Sequence, residues 1–580
     1  MTTAPIHYHV SAPDVRTHLF HVTVTIAQPE REQVVSLPVW IPGSYLVREF
    51  ARHLQGLCAT QQGKSCAIEQ LDKHRWLIHS KTRQPLTLHY QVYAHDNSVR
   101  TAWLDAERGF FNPTSVCLQV EGQAHLAHSM DIASPEKKWK LATGLSAVNV
   151  NKNGFGRYMA HNYDALVDCP VEMGDFWRGT FRAQGIPHTL VVAGAGPAFD
   201  GERLLRDTQR ICDTALQFWH GKQAKKQAPF QRYVFMLNVV HDGYGGLEHR
   251  NSTALIASRQ DLPRLGQDTT STGYTTLLGL ISHEYFHSWN VKQLRPAHLL
   301  PYRYDQENYT ELLWFFEGFT SYYDDLLLLR AGLITQTQYL ELLSKTLNQV
   351  LGTPGRHIHS VAQASFEAWT KYYRQDANTL NATVSYYTKG ALVALCLDLT
   401  LRQSGSNLDH LMRVLYQHCC EKGLLEEHVV TALQALSGRS FAKEIKEWVH
   451  GTKDLPVMKL LRKAGIHVEH KEGTLAQQWG LRVQEGTAIT VQNVLRGGLA
   501  EQAGLAPGDE WYGVEIDQAG WRVGKLEEVA ALLPNTATPR TLLVSRDRRL
   551  LRLAWPHSAT SAVTTVNLTG QTAATSWPHA

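Results

Sequence analysis

Regular alternation of hydrophobic and polar residues predicts β-strands in the N-terminal part of the chain. One alternating run covers residues 20–26, and another covers residues 86–92. A period of two is typical of strands that bury one face. Pro42-Gly43-Ser44 carries the residues of a turn. We therefore expect an N-terminal β-rich domain over residues 1–170, with a β-sandwich architecture.

Helical periodicity dominates from about residue 270 to 450, and Thr335 is a suitable N-cap for a helix over residues 336–350. Ahead of this region, residues 189–194 and 233–240 are strand-like and bracket a helical segment over residues 201–220. The second strand leads directly into a glycine pair followed by Glu248, which we expect on the edge strand of a small sheet. The pattern predicts a domain over residues 171–455 with a mixed sheet lobe and a helical lobe.

A separate module is expected over residues 470–556. Its strand-turn-helix-turn pattern near residues 489–510, with turns at Ala503-Gly504-Leu505 and Pro507-Gly508-Asp509, resembles a PDZ domain. PDZ domains bind extended peptides by strand addition, so a peptide ligand is one reading and a purely structural module is the other. Residues 557–580 are rich in Ser, Thr and Ala and predict a flexible tail.

The strongest chemical signal is His283-Glu284-Tyr285-Phe286-His287, which lies in an apolar helical run. Histidines at positions i and i+4 share one face of a helix, so both imidazoles can reach one metal ion. Glu284 lies between them, where it can act on a metal-bound water. This pattern is typical of zinc hydrolases.

A catalytic zinc needs three protein ligands and one open position. The residues directly after His287 contain no further histidine, whereas Glu317 lies downstream in a predicted helix among aromatic residues. A carboxylate in such surroundings needs a strong partner, and either a metal or a buried ion pair would serve. Asp324 and Asp325, two helical turns beyond Glu317, are candidates to orient the histidines.

At this point the chain resembles the glycyl aminopeptidase family of PDZ-containing zinc peptidases, which are related to thermolysin-like and aminopeptidase-N-like enzymes. The resemblance rests on several motifs in order: LPVWIPGSYLVREFARH, DCPVEMGD, GGLEHRNST, HEYFHSWNVKQLRP, WFFEGFTSYYDD and SYYTKGAL. It implies a multidomain α+β chain with a thermolysin-like catalytic domain. It also implies one Zn²⁺ per chain held by His283, His287 and Glu317, with Glu284 as the catalytic glutamate.

Two further motifs carry candidate site residues. Gly245-Gly246-Leu247-Glu248 resembles the exopeptidase motif of aminopeptidase-N-like enzymes, in which the glutamate binds the α-amine of the substrate. Glycines permit close backbone approach to a ligand. The segment Tyr387-Thr388-Lys389-Gly390 resembles a motif in which the tyrosine hydroxyl stabilises an oxyanion. The spacing favours Tyr387 over its neighbour Tyr386.

Composition agrees with a large multidomain enzyme and gives no indication of a nucleic-acid-binding, membrane-spanning or disulfide-rich protein. The chain has 580 residues, 43% hydrophobic residues and a net charge of +4, which gives no reason to expect nucleic acid as a partner. The sequence shows no window apolar enough to span a membrane and no secretory signal. The eight cysteines are scattered without a CxxC pair, so we expect a cytoplasmic protein with free thiols. A periplasmic protein trimmed of its signal peptide is the alternative.

These observations predict a zinc-dependent aminopeptidase acting on peptide substrates, and the family resemblance points to removal of small N-terminal residues, Gly or Ala. Two alternatives remain. The first is a zinc endopeptidase, because a zinc site alone does not distinguish internal from terminal bonds. The second is a PDZ-type peptide-binding scaffold with a vestigial metal site.

Overall fold

The computed structural model describes residues 4–533, 540–556, 563–570 and 577–578. The chain divides into two compact units. The first comprises residues 1–309, 323–334 and 412–425, and the second comprises residues 310–322, 335–411 and 426–580. Among the described residues, no helix is both long and apolar enough to cross a lipid bilayer.

The N-terminal part of the first unit is β-rich, as the alternating pattern predicts. Its strands are β1 (Ile6–Ser11), β2 (Leu19–Ile26), β3 (Glu32–Ser36), β4 (Leu54–Gln61), β5 (Lys64–Cys66), β6 (Ile68–Gln70), β7 (Arg75–His79), β8 (Leu86–Tyr93), β9 (Ala102–Leu104), β10 (Arg108–Phe111), β11 (Gln119–Val120), β12 (His128–Ile132), β13 (Lys140–Thr143), β14 (Ser146–Val150), β15 (Gly156–Ala160) and β16 (Val171–Gly174). One short helix, α1 (Tyr163–Val167), precedes β16.

These strands form three sheets within residues 4–174, whereas a simple sandwich has two. The largest has the order β14-β15-β12-β1-β2-β8-β4-β5, and the four-stranded sheets have the orders β13-β16-β10-β9 and β11-β3-β7-β6. The additional sheet is formed by β9, β10, β13 and β16, which pair with one another and not with the strands of the other two sheets. Strands β2 and β8 bury every second side chain in the common core, which confirms both alternating runs.

The rest of the first unit holds a five-stranded mixed sheet. Its strands are β17 (Trp177–Ala183), β18 (Ile186–Ala193), β19 (Tyr233–Val240), β20 (Tyr244–Glu248) and β21 (Ser252–Ser258), in the order β17-β18-β19-β21-β20. Helix α2 (Gly201–His220) joins the parallel strands β18 and β19, and α3 (Ala224–Gln227) follows it. Strand β20 lies at one edge of the sheet, so Glu248 is on an edge strand as predicted.

Two long helices carry the chemical motifs. Helix α4 (Thr272–Phe286) begins at Ser271, whose hydroxyl accepts a hydrogen bond from the backbone N–H of Tyr274. Helix α5 (Leu313–Arg330) contributes its first residues to the second unit and its last residues to the first. Both helices are largely buried apolar elements, as their hydrophobic composition predicts.

The second unit is helical in its central part. Its helices are α6 (Gln336–Leu351), α7 (Val361–Phe366), α8 (Thr379–Ala382), α9 (Thr388–Arg402), α11 (Glu426–Ser437), α12 (Ala442–Trp448) and α13 (Val457–Lys463), while α10 (Leu408–Cys419) begins in this unit and ends in the first. Thr335 forms a capping box with Gln338 at the start of α6, which confirms the predicted N-cap.

The C-terminal part of the second unit is a mixed β and helical module. Its elements in chain order are β22 (His467–Glu472), α14 (Leu475–Trp479), β23 (Leu481–Gln484), β24 (Ile489–Val494), α15 (Leu499–Gln502), β25 (Glu510–Ile516), β26 (Ala519–Arg522), α16 (Leu526–Leu532), β27 (Thr541–Arg546), β28 (Arg549–Ala554) and β29 (Thr564–Thr569). Strands β23-β24-β25-β27-β28 form one sheet, β26 pairs with β25, and this module has its own apolar core.

The end of the chain corrects one sequence-based expectation. The composition of residues 557–580 predicts a flexible tail. Residues 557–562, 571–576 and 579–580 lie outside the described part of the chain. Within residues 563–570, however, β29 pairs with β22 in register and buries Val566 and Leu568. The Oγ of Ser344 accepts a hydrogen bond from the N–H of Leu568 at 3.0 Å. Trp577 is also buried, and its indole donates to the hydroxyl of Tyr322. The β-forming Thr and Val residues of this segment explain the difference, because overall Ser/Thr/Ala content hides their alternation.

Candidate zinc centre

The two motif histidines converge at the end of α4. The Nε2 atoms of His283 and His287 lie 3.1 Å apart, as expected for side chains one helical turn apart. The Nδ1 of His283 donates to Oδ2 of Asp324 at 3.0 Å, and the Nδ1 of His287 donates to the backbone carbonyl of Asn290 at 2.8 Å. Because each Nδ1 is the donor, each Nε2 carries a lone pair. Two lone pairs this close repel each other unless a cation lies between them.

Glu317 places a third potential ligand atom beside the two histidines. Its position on α5 is seven residues before Asp324, so the two carboxylates lie on one face of the helix. One ligand atom from each of His283, His287 and Glu317 lies within 4.8 Å of the other two. Glu317 and His287 are each only 2% exposed. Two neutral imidazoles and one carboxylate are a donor set that fits Zn²⁺. Of the two aspartates that the sequence offered, Asp324 contacts a histidine ring.

A strained turn holds the carbonyl that orients His287. Val291 has φ = +115°, which is rare for a β-branched residue. Its N–H donates to the carbonyl of Leu294 at 2.9 Å, and the N–H of Lys292 donates to the carbonyl of His287 at 3.1 Å. The turn thereby directs the Asn290 carbonyl towards the imidazole and the Lys292 side chain into the protein interior.

Two glycines allow close approach to the site carboxylates. An added Cβ at Gly246 would lie 2.5 Å from Cγ of Glu284 and closer still to its carboxylate. An added Cβ at Gly43, where φ is +93°, would lie 2.5 Å from both carboxylate oxygens of Glu248. The predicted turn at residues 42–44 therefore packs directly on Glu248. Glu248 and Glu284 are both buried, at 4% and 5% exposure.

A buried charge cluster lies beside Glu248 and is centred on Asp168. Its Oδ1 lies 2.7 Å from Nζ of Lys292 and 3.1 Å from Nδ1 of His249, and its Oδ2 accepts from the N–H of Arg250 at 3.1 Å. Burial alone would raise the pKa of Asp168, but Lys292, Arg250 and His249 hold that pKa below its ordinary value. The cluster fixes the chain directly after Glu248. Asp168, His249 and Lys292 lie in three separate sequence motifs, so no local pattern predicts that they meet.

Tyr387 lies at the N-terminus of α9 and is half-buried, whereas its neighbour Tyr386 is fully buried. Helices α5 and α9 touch where an added Cβ at Gly318 would lie 2.5 Å from Cα of Gly390. This contact brings the start of α9 to the turn of α5 that carries Glu317. Burial and the charge of Glu317 raise the pKa of Tyr387 well above its ordinary value, so the phenol is a neutral donor.

The comparisons with known proteins agree with this geometry. The family model for the Peptidase M61 N-terminal domain matches residues 7–175, and the model for the M61 glycyl aminopeptidase matches residues 276–393. The second match contains the histidines and Glu317. The fold and the site define an enzyme, a zinc metallopeptidase.

One solved structure is similar to this chain over almost the whole length of both proteins. The chain is similar to the crystal structure of an aminopeptidase N family protein from Idiomarina loihiensis, with 38% identity, a TM-score of 0.91, and coverage of 97% of this chain and 98% of that one. It also matches an M1 zinc metallopeptidase from Deinococcus radiodurans at 14% identity and a TM-score of 0.49, over 78% of this chain and 94% of that one. No curated protein matches. The chain belongs to the M61 glycyl aminopeptidase family.

Proposed function

We propose that this chain is a zinc-dependent aminopeptidase that removes N-terminal residues, particularly Gly and Ala, from peptides. The supporting observation is the position of two carboxylates relative to β20: Glu248 lies on the strand, and Glu284 of α4 packs against it. The Cα hydrogen of Gly246 that takes the place of a side chain and the side chain of Glu248 lie on the same face of the strand, because positions two residues apart share a face. Gly246 abuts Glu284, so Glu248 and Glu284 lie about 7 Å apart along the strand. That spacing accommodates one residue between an ammonium group at Glu248 and a scissile carbonyl beside Glu284.

In the proposed reaction, zinc held by His283, His287 and Glu317 would supply Lewis acidity and make an attacking water more acidic. Glu284 takes a proton from this water and passes it to the leaving amine. Tyr387, whose phenol stays protonated, donates a hydrogen bond to the developing oxyanion. Glu248 holds the ammonium group and thereby fixes the register of the substrate.

The preference for a small first residue is also part of this proposal. The turn at residues 42–44 covers Glu248 so closely that no Cβ fits at Gly43. A peptide whose amine binds Glu248 must place its first side chain beside this turn. We propose that the turn leaves room for Gly or Ala and excludes bulky residues, in agreement with the description of the family that the chain matches.

The test is mass spectrometry of products from a peptide with a free N-terminus and from the same peptide after N-acetylation. We expect stepwise loss of N-terminal residues from the free peptide and slow cleavage of the acetylated one. Glu248→Ala should lose most activity on the free peptide, because a charge-assisted contact worth roughly 1.5–3 kcal/mol is removed. Glu202→Ala, an exposed acid in α2, is the matched control and should behave like the parent.

Two results would contradict the proposal. Rapid internal cleavage of the acetylated peptide would favour the zinc endopeptidase. Full zinc occupancy with no cleavage of either peptide would favour the scaffold with a vestigial metal site.

We also propose that residues 470–556 form a PDZ-like domain that takes an extended peptide along β23. The supporting observation is that β23 is an edge strand of its sheet. The neighbouring β24 is anchored by Asn381, whose Nδ2 donates to the carbonyl of Val494 at 2.9 Å. Fluorescence anisotropy with N-acetylated decapeptides of differing C-termini tests the proposal. Absence of saturable binding by every such peptide would indicate a structural module.

A further inference from the structure

Arg100 lies at the free edge of the strand that carries the candidate substrate site. It belongs to the segment between β8 and β9, and its Nη2 donates to the carbonyl of Gly246 at 3.3 Å. Its Nη1 lies 3.8 Å from the position of an added Cβ at Gly245. The guanidinium group therefore lies against the backbone of Gly245 and Gly246, and the second of these glycines adjoins Glu284.

The charge of Arg100 has no acidic partner among the residues that the structure describes. Over the described ranges of the chain, no Asp or Glu oxygen lies within 4.0 Å of its guanidinium, and its Nε is buried without a hydrogen-bond acceptor. Two arginines of the same N-terminal region do have acidic partners: Arg108 lies 2.7 Å from Glu172, and Arg157 lies 2.7 Å from Asp131. A partly buried cation with unused donors is costly unless an anion completes its contacts.

We propose that Arg100 binds the C-terminal carboxylate of short peptide substrates, so that free dipeptides and tripeptides are the preferred substrate class. This inference rests on the proposed aminopeptidase function. An extended peptide lying along the free edge of β20 has its amine at Glu248 and runs past Gly246 towards Arg100. Two to three strand residues span about 7–10 Å, which is close to the length of an extended dipeptide or tripeptide.

The charges of Glu248 and Arg100 are opposite to those at the two ends of a free peptide. An arginine fork donates two parallel hydrogen bonds to a carboxylate, and such charge-assisted pairs are among the strongest polar contacts. Glu248 would bind the positive end of the substrate and Arg100 the negative end. A longer peptide carries no carboxylate at the position of Arg100 and would lose this contact.

The test compares alanyl-alanine with its C-terminal amide and uses alanine p-nitroanilide as a substrate without a carboxylate. We expect the parent to cleave the free dipeptide about ten- to a hundredfold more efficiently, in kcat/KM, than the amide. Arg100→Ala should bring this ratio near one, with the loss falling on the free dipeptide. Arg100→Lys should retain part of the preference, because it keeps the charge without the fork. Arg31→Ala, an exposed arginine of the same domain, should keep the parent ratio.

A binding measurement separates this inference from the proposed function. Calorimetry with Glu284→Gln protein measures peptide binding without turnover. In this protein the free dipeptide should bind at least tenfold more tightly than the amide, and this preference should disappear when Arg100→Ala is added. Equal binding or equal cleavage of the two peptides by proteins that carry Arg100 would overturn the inference. An unchanged ratio in a folded Arg100→Ala protein would do the same. Failure of the parent to cleave all three substrates, with the binding preference intact, would overturn only the aminopeptidase function.

Discussion

Gly246→Ala tests whether the backbone of β20 sets the position of Glu284. The added methyl carbon would lie 2.5 Å from Cγ of Glu284 and closer to its carboxylate, whereas non-bonded carbon atoms prefer about 3.5–4.0 Å. The carboxylate must therefore move by about 1 Å or more. A displacement of that size at a reacting group costs on the order of 10²-fold in rate, or about 2.7 kcal/mol of transition-state stabilisation.

The assay is hydrolysis of alanine p-nitroanilide, with zinc content and melting temperature measured on the same preparations. We expect kcat to fall about 100-fold while zinc content stays at the parent level. Gly279→Ala is the matched control, since it lies on α4 and its added Cβ would be 3.4 Å from Oδ1 of Asp325, an ordinary contact. Parent-like kcat in a folded Gly246→Ala protein would show that Glu284 is not held against this strand.

Two further predictions concern the charge cluster at Asp168 and the hydroxyl of Tyr387. Asp168→Asn leaves the ammonium of Lys292 buried without its charge partner, so we expect destabilisation of roughly 3–5 kcal/mol, seen as a lower melting temperature. The double variant Asp168→Asn with Lys292→Met should lose less free energy of unfolding than the sum of the two single variants. Strict additivity would show that Asp168 and Lys292 are not energetically coupled. Tyr387→Phe should lower kcat by on the order of 10²-fold with zinc retained. A parent-like rate there, together with a large loss in Tyr386→Phe, would move the oxyanion role by one residue.

Local spacing explains which parts of the structure could be predicted. Strand β2 follows directly from its alternating residues, and the capping box at Thr335 follows from neighbouring side chains. His283 and His287 share a helix face because they are four residues apart. For the same reason, Asp324 and Glu317 could be placed on one helix before their contacts were known. Each of these inferences depends on residues within two helical turns or one strand.

The remaining features depend on contacts between distant parts of the chain. Arg100 and Gly246 are 146 positions apart, and no periodicity in either segment indicates that they meet. The approach of Gly43 to Glu248 and the pairing of Asp168 with Lys292 arise only when the sheets are assembled. The strand Thr564–Thr569 was not predicted for a different reason: the average composition of residues 557–580 obscures its short alternating segment.

We propose that His283, His287 and Glu317 hold a catalytic zinc ion, and that Glu284 acts on the attacking water without binding the metal. The most direct test is the zinc content of the purified parent, Glu317→Ala and Glu284→Gln proteins, measured by inductively coupled plasma mass spectrometry alongside peptide hydrolysis. We predict one zinc ion per chain in the parent and in Glu284→Gln, markedly less in Glu317→Ala, and turnover only in the parent. Full zinc occupancy together with full activity in Glu317→Ala would show that Glu317 is not a zinc ligand.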